Sequence, residues 1–510
     1  MIVDELALMI RQTFGLVPTD EQAAAIDTFC RFMTDADCRS VMILRGSAGT
    51  GKTSLAAAFV RTMAKLNRKA ALLAPTGRAA KVFSLNAERR AFTIHRVIYR
   101  QKTFTGDMSG FSLNDNLSRN TLYMVDEASM IANEGVAETA RFGTGRLLDD
   151  LVTFVYSGHG CRLMLTGDKA QLPPIGEEES PALTPEYMAG YGLKVYLCDL
   201  NRVLRQASDS GILYNATIIR QMITHDEATH LPMIHFSAFA DIMPVRGDEL
   251  IEQLNSSYSE AGLDETIVIT RSNKRANIYN NGIRGMVLDR EEELTTGDML
   301  MVVRNNYYWT EKERRAATKA DGGGQNGGDR PPSAGRYSVA ALQNSQDKGC
   351  PLSFIANGDR ACVRRVRNVR EFYGFTFADV WLQFPDYDNY EMQVTVLTDT
   401  LKSDAPALTK EQSEQLFNSI LEDYQDIPLK SERMKRIRED MYYNALQVKY
   451  AYAVTCHKAQ GGQWAHVYID QGYMTDDMLM PDYIHWLYTA FTRATEKLFL
   501  VNWPKTQTAG

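Results

Sequence analysis

Val41-Met42-Ile43-Leu44-Arg45-Gly46-Ser47-Ala48-Gly49-Thr50-Gly51-Lys52-Thr53 is the stretch that decides the fold. An aliphatic run of strand length leads into a glycine-rich turn, and a lysine and a hydroxyl follow where a helix begins. Residues Gly46, Ser47, Ala48, Gly49, Thr50, Gly51, Lys52 and Thr53 fit G-x-x-x-x-G-K-[ST] in full. The glycines let backbone N–H groups curl around phosphate oxygens, and the helix N-terminus adds a favourable dipole. Lys52 is placed to reach the β- and γ-phosphates of a nucleotide, and the Thr53 hydroxyl to ligate Mg²⁺. A chance glycine-rich turn would account for neither the strand before it nor the helix after it.

Outward from this loop, residues 52–66 read as a helix, and 41–45, 69–74, 122–125 and 162–166 as short apolar strands. Such alternation implies a parallel sheet covered on both faces, with functional residues at the carboxyl ends of its strands. Asp126-Glu127 stands at such an end. One carboxylate there can hold Mg²⁺ while its neighbour activates a water, so Asp126 is assigned to the metal and Glu127 to the base. A similar set of elements returns later: strands at 266–270, 448–454, 467–470 and 498–502, and a helix from 273 to about 289.

Between the two sets the composition changes. Short β-like runs occur at 299–303, 361–366 and 394–397, and 409–439 reads as charged helix. Residues 318–336, with GGGQNGG and a Pro-Pro pair, read as a flexible loop. The expected fold class is therefore α/β: two parallel-sheet lobes carrying a small inserted β domain. The expected boundaries are 1–98 and 121–205 for the first lobe, 99–120 for a hairpin insertion, 206–297 and 444–510 for the second lobe, and 298–443 for the β domain.

The whole chain sets outer limits. At 510 residues it needs several cores. No apolar run approaches the roughly 20 residues of a membrane helix, and the start MIVDELALMI has no basic region of the kind that opens a signal peptide. A cytoplasmic protein with no membrane partner is expected. Seven scattered cysteines without a CxxC pair argue against a disulfide framework, a zinc site or an iron–sulfur cluster. The net charge of −7 does not favour nucleic acid, yet a narrow basic channel can lie within an acidic shell.

Further segments turn the nucleotide loop into a specific resemblance: PTDEQAAAI (18–26), APTGRAAK (74–81), TIHR (93–96), VDEASM (125–130), TGDKAQLPP (166–174), NRVLRQ (201–206), VTCHKAQG (454–461) and YTAFTRA (488–494). In this order they resemble the motif series of superfamily 1 DNA helicases, in particular the RecD-like and Dda-like group. The resemblance runs from about residue 18 to 502, with the insertions weakly covered. It implies two RecA-like motor domains, an SH3-like inserted β domain, and an ATP- and Mg²⁺-dependent enzyme that translocates 5′ to 3′ on single-stranded DNA. It further implies single-strand/double-strand junctions as substrates, a place in repair, recombination or replication beside other proteins of those pathways, and activity as a monomer.

The same resemblance distributes roles. Gln22 would read the adenine edge, since an amide pairs with N6 and N7. Gln171 would sense the γ-phosphate or the attacking water. Arg205 and Arg493 would enter from the second lobe to neutralise charge on the transferred phosphoryl, and Gln460 and Gly461 would lie near the nucleotide. Pro75, Thr76, Arg78, Thr93 and His95 on the first lobe, with Thr455, His457 and Lys458 on the second, would track the strand through hydroxyl, backbone and basic groups. Phe83 reads either as a base-stacking platform or as core. The arginines at 360, 364, 365, 367 and 370 read either as strand contacts or as a solvated strand face.

Two positions depart from the family pattern: Gln463 stands where Glu is common, and Leu204 where other branches carry a stacking Tyr. An RNA helicase of the same superfamily and a non-translocating NTP-dependent switch are the rival readings. No further acidic cluster suggests a nuclease centre.

Overall fold

The computed structural model describes residues 2–101, 111–134, 143–202, 210–224, 230–237, 239–320, 350–352 and 354–509. The first lobe is built on β1 (Ser40–Gly46), β2 (Lys69–Ala74), β3 (Ala91–Thr93), β6 (Thr121–Val125), β7 (Arg162–Gly167) and β8 (Lys194–Leu200). They form one parallel sheet in the order β3-β2-β6-β7-β1-β8. Strand periodicity explains why β1 is aliphatic throughout. Val41 and Ile43 enter the core on one face of the sheet, and Met42 and Leu44 enter the core on the other. Both faces are covered, so no position on the strand can be polar without a buried partner.

Between β3 and β6, β4 (Tyr99–Gln101) and β5 (Phe111–Leu113) pair antiparallel, forming the base of the hairpin expected at 99–120. Residues 102–110 lie outside the described residues.

After β9 (Ile234–His235), which pairs with the terminal β20 (Thr508–Ala509), the second lobe is a parallel sheet. Its strands are β10 (Ile242–Val245), β11 (Thr266–Thr270), β17 (Ala453–Thr455), β18 (Trp464–Asp470) and β19 (Ala494–Val501), in the order β10-β19-β18-β11-β17. The helix expected from 273 to about 289 is α-helical over Asn273–Gly282 and continues as a π turn over Ile283–Val287.

The insertion is a closed five-stranded barrel of β12 (Met299–Val302), β13 (Arg360–Phe372), β14 (Phe375–Phe384), β15 (Tyr390–Leu397) and β16 (Leu446–Tyr450). The chain thus has two RecA-like parallel sheets with a small β barrel between them. The barrel extends past the expected boundary at 443. The apparent strand 448–454 is in fact two strands divided at Ala451-Tyr452, where the chain passes from barrel to lobe. Tyr452 marks that seam: its hydroxyl donates to Asp298 Oδ1 at 2.8 Å and accepts from Met299 N at 3.1 Å. Asp298 is fully buried and paired with Arg284 and Arg290 at 3.0 and 2.8 Å. Apolar periodicity could not locate this break, because residues 446–454 are buried without interruption across it.

The charged stretch 409–439 forms the helices Lys410–Asp423 and Lys430–Glu439 packed on the barrel. Residues 318–320 of the expected loop end the helix Tyr308–Ala320, and 321–336 lie outside the described residues. Cys161, just before β7, is buried, whereas Cys198 on edge strand β8 is only partly so. Among the described residues no helix is long and apolar enough to cross a membrane.

Candidate functional site

The glycine-rich loop leaves the carboxyl end of β1 and feeds the helix Lys52–Lys65. Gly49 and Gly51 hold φ of 80° and 83°, the left-handed region that only glycine enters at little cost. Lys52 Nζ donates to Gly46 O and to Ser47 O (3.0 Å to the latter), so its charge lies over the loop that it would complete around phosphate. Gln22 closes the loop from the outside. Its Nε2 donates to Thr50 O at 3.0 Å, and its Oε1 accepts from Thr19 N in the capping box of the helix Asp20–Thr34. Each amide end of Gln22 is thus already engaged once. Sequence alone did not show this structural use of the residue.

Asp126 and Glu127 stand at the end of β6, beside the loop. Asp126 Oδ1 accepts from Thr166 Oγ1 at 2.5 Å and from Glu127 N at 3.0 Å, which aims the carboxylate and leaves its second oxygen uncommitted among the described residues. Glu127 has φ of 53°, a conformation that non-glycine residues keep chiefly where the surroundings enforce it. Desolvation in the crowded cleft raises the Glu127 pKa; Arg493 and Lys52 pull it down, and Asp126 and Asp168 push it up. That list also shows which charges share the cleft. Gln171, on the loop after β7, is buried, and its Oε1 has no hydrogen-bond partner among the described residues.

The second lobe reaches this site through the helix Pro481–Phe491 and the residues just after it. Tyr488 donates its hydroxyl to Asp168 Oδ2 at 2.5 Å, and the Tyr488 hydroxyl oxygen accepts from the loop amide Ala48 N at 3.4 Å. Thr489 Oγ1 accepts from Leu172 N at 2.8 Å, His485 Nδ1 meets Ala170 O at 2.9 Å, and Gln460 Nε2 donates to Leu172 O at 2.8 Å. The loop carrying Gln171 is therefore held by four side chains of the opposite lobe. Arg493 is buried, with its guanidinium donating to Thr489 O, Gly462 O and Thr492 Oγ1 at 3.0–3.1 Å. Gly461 approaches so closely that an added Cβ would lie 3.2 Å from both Thr76 Oγ1 and Met130 Sδ of the first lobe. Arg205 and Leu204 lie outside the described residues.

Tyr488, Thr489 and Asp168 were not singled out from the sequence, although the YTAFTRA and TGDKAQ segments contain them. Burial holds the Tyr488 phenol well above its usual pKa, so it acts as a donor to Asp168. Tyr488→Phe keeps the ring and leaves a buried carboxylate oxygen without that donor. It is expected to cost about 1–3 kcal/mol in thermal or denaturant unfolding; an unchanged midpoint would show that the bond contributes nothing.

The residues assigned to strand tracking divide into two groups. Pro75, Thr76, Thr93 and Thr455 are partly exposed at strand ends, His457 is exposed and Lys458 half-buried. Thr76 Oγ1 caps the helix Gly77–Ala87 by accepting from Ala79 N at 3.2 Å. His95 packs against Tyr99 and Phe354, and burial lowers its pKa to about 4, so it is neutral at neutral pH. Phe83 is a correction: it is fully buried in the first-lobe core and offers no face to a base. Helical periodicity explains this, because Phe83 falls on the inward stripe with Ala79, Ala80 and Ala87.

Arg78 is only 16% exposed and is held from three sides. It lies 3.5 Å from Asp386 of the barrel and 3.6 Å from Glu265, and it stacks 4.7 Å from the Trp464 ring centroid; its guanidinium also donates to Gln463 O. Gln463, one of the two departures from the family pattern, thus touches the first lobe through its backbone. The arginine run on β13 divides as well. Arg360 is buried near Trp464, Arg364, Arg365 and Arg367 are exposed, and Arg370 pairs with Asp379 at 2.7 Å.

Fold and loop together define a two-lobed protein of the P-loop NTPase class, with its phosphate loop facing the cleft. An AAA domain matches residues 18–213, and a UvrD-like helicase C-terminal domain matches residues 450–501. The ATP-dependent RecD2 DNA helicase of Deinococcus radiodurans is 28% identical over 173 residues, 34% of this chain and 20% of that protein. An uncharacterized protein of Methanocaldococcus jannaschii is 31% identical over 172 residues, 31% of this chain and 14% of its own length. This chain spans no more than a fifth of the length of those curated relatives. A Pif1 helicase from Bacteroides bound to single-stranded DNA aligns over 97% of this chain and 95% of that one, at 14% identity and a TM-score of 0.45. The two domain matches and the RecD2 relative are thus likenesses to AAA and helicase domains over parts of this chain.

Proposed function

We propose that this chain is an ATP-hydrolysing DNA helicase that translocates 5′ to 3′ on single-stranded DNA and opens duplex at single-strand/double-strand junctions. One observation carries the reading. A complete phosphate loop on one lobe faces a second-lobe helix that hydrogen-bonds both to that loop and to the Gln171 loop. A ligand bound between two lobes so linked drives hinge closure, and its loss permits opening.

The residues divide the work as follows. Lys52 and the loop amides hold the phosphates, and Gln22 borders the base. Glu127 accepts the proton of the attacking water, and Gln171 contacts that water or the terminal phosphate through its side-chain amide, whose carbonyl oxygen has no partner among the described residues. Arg493, and Arg205 beyond the described residues, neutralise charge as it develops. The donor set suits Mg²⁺, which keeps most of its waters and takes one or two protein oxygens: Thr53 and the uncommitted oxygen of Asp126 would hold it. When bound, Mg²⁺ would supply charge neutralisation on the phosphates. Among the described residues no cluster of three His, Cys, Asp or Glu offers a metal cage of another kind.

Pro75, Thr76, Arg78, Thr93 and His95 would line the strand track opposite Thr455, His457 and Lys458. A cytoplasmic monomer acting with repair, recombination or replication proteins completes the reading.

The test is ATP turnover with and without oligonucleotides. Single-stranded DNA is expected to stimulate it about 5–150-fold, the usual range of site-to-site coupling, and matched RNA less. An equal or greater response to RNA would make this an RNA helicase. No response to either would leave an NTP-dependent switch.

A further inference from the structure

Beyond Lys52 and the arginines already assigned, a third second-lobe arginine faces the phosphate loop. A cavity of about 310 Å³ separates Ser47 and Ala48 of the loop from Leu213, Thr217 and Arg220 on the helix Gly211–Thr224, with Tyr488 at its edge. That helix packs on Pro481–Phe491 and so belongs to the second lobe. We propose that Arg220 binds the terminal phosphate of a nucleoside triphosphate; this rests on the nucleotide-site reading above.

Three observations support it. First, Arg220 is underused. Among the described residues its buried Nε has no partner, its hydrogen bonding is limited to a long contact of 3.5 Å from Nη2 to Asn201 Oδ1, and no carboxylate lies within ion-pair distance. The residue is partly exposed, but a guanidinium nitrogen withdrawn from water, as this Nε is, normally meets an anion or another acceptor.

Second, the loop side of the cavity is equally underused. Ser47 is 4% exposed, and its buried hydroxyl has no partner among the described residues. Third, the cavity lies towards the end of the phosphate chain. Gln22 marks the base side by bonding Thr50 O, whereas Tyr488 ties Ala48 to Asp168, from whose loop Gln171 projects. An anion bridging Ser47 and Arg220 would therefore lie beside the group assigned to the attacking water. A bidentate guanidinium contact there joins the lobes only when the terminal phosphate is present.

The test compares Arg220→Ala and Arg220→Lys with the unchanged full chain, using fluorescent ADP, a non-hydrolysable fluorescent ATP analogue, ATP turnover and thermal melting. Arg220→Ala is expected to weaken the ATP analogue at least about tenfold, to leave ADP affinity within about twofold, and to lower kcat about 10²–10³-fold, as loss of a charge-stabilising donor does. Arg220→Lys is expected to recover part of the analogue affinity but little of kcat, because a point charge replaces a planar fork. Equal weakening of ADP and analogue, or no change in either, would overturn the proposal. If Arg220→Ala does not fold, the Arg220→Lys comparison decides in the same way. Lys52→Ala in the same assay separates the two claims: normal analogue binding and turnover there would remove the nucleotide-site reading itself.

Discussion

Lys52→Ala is expected to reduce ATP turnover by about 10³-fold or more, the effect of removing a principal phosphate-stabilising charge from a preorganised site. The melting temperature and the affinity for single-stranded DNA should stay near those of the unchanged protein. Among the described residues, Lys52 Nζ hydrogen-bonds only to the carbonyls of Gly46 and Ser47, at the start of the loop. The helix behind the loop is held independently by Leu55, Ala56, Phe59 and Met63 in the core. Without phosphate to bind, the ammonium rests on acceptors that water can replace. Loss of folding in circular dichroism, instead of loss of turnover alone, would mean that these two hydrogen bonds are structural and the phosphate role misassigned.

Glu127→Gln should have a comparable effect on turnover for a different reason. An amide of the same shape cannot take the proton from water, so hydrolysis should fall by about 10²–10⁴-fold, the usual contribution of a general base, while nucleotide binding is kept. The acid limb of the pH profile adds a second signature. Desolvation raises the pKa of Glu127 above that of an ordinary carboxyl, outweighing Arg493 and Lys52. A base must be ionised, so turnover should fall as pH drops through that raised value.

The linkage to stability has the opposite sign. A carboxyl with a raised folded pKa contributes most below its unfolded pKa, and that contribution is lost as pH rises through the folded value. At neutral pH and above, Glu127→Gln should therefore melt higher than the parent while hydrolysing less. A variant with normal turnover, or one that melts lower across that range, would take the base role from Glu127.

Much of this protein was open to reading along the chain. The nucleotide loop, the strands 41–45, 69–74, 122–125 and 266–270, and the carboxylate pair after β6 are local features. Backbone conformation and hydrophobic period write them into a few consecutive residues. The β character of the insertion and the charged helices after it were open to the same reading. Where neighbouring segments were equally buried, the signal failed: Leu446–Tyr450 and Ala453–Thr455 belong to different domains, yet burial runs unbroken from 446 to 454. Phe83 shows the complementary difficulty. Its spacing from Arg78 is compatible with a base platform, and only the packing of Gly77–Ala87 onto the helix Lys52–Lys65 places the ring inside.

The contacts between domains were not open to reading at all. Arg78 was assigned to the strand track, but its neighbours Asp386, Glu265 and Trp464 come from the barrel and the second lobe. Gly77 makes the same point: an added Cβ there would meet the barrel's Tyr387 hydroxyl at 2.4 Å. Tyr488 needs Ala48 and Asp168, which lie hundreds of positions away in the chain. By itself, then, the sequence determined the class of each lobe and the chemistry of the phosphate loop, because a strand, a glycine turn and a helix start are set by adjacent residues. The tertiary structure alone decided which second-lobe side chains, Tyr488, Thr489, Arg493 and Arg220 among them, line the cleft beside that loop. Such a juxtaposition depends on how two separately formed cores pack together, and no periodicity within either core records it.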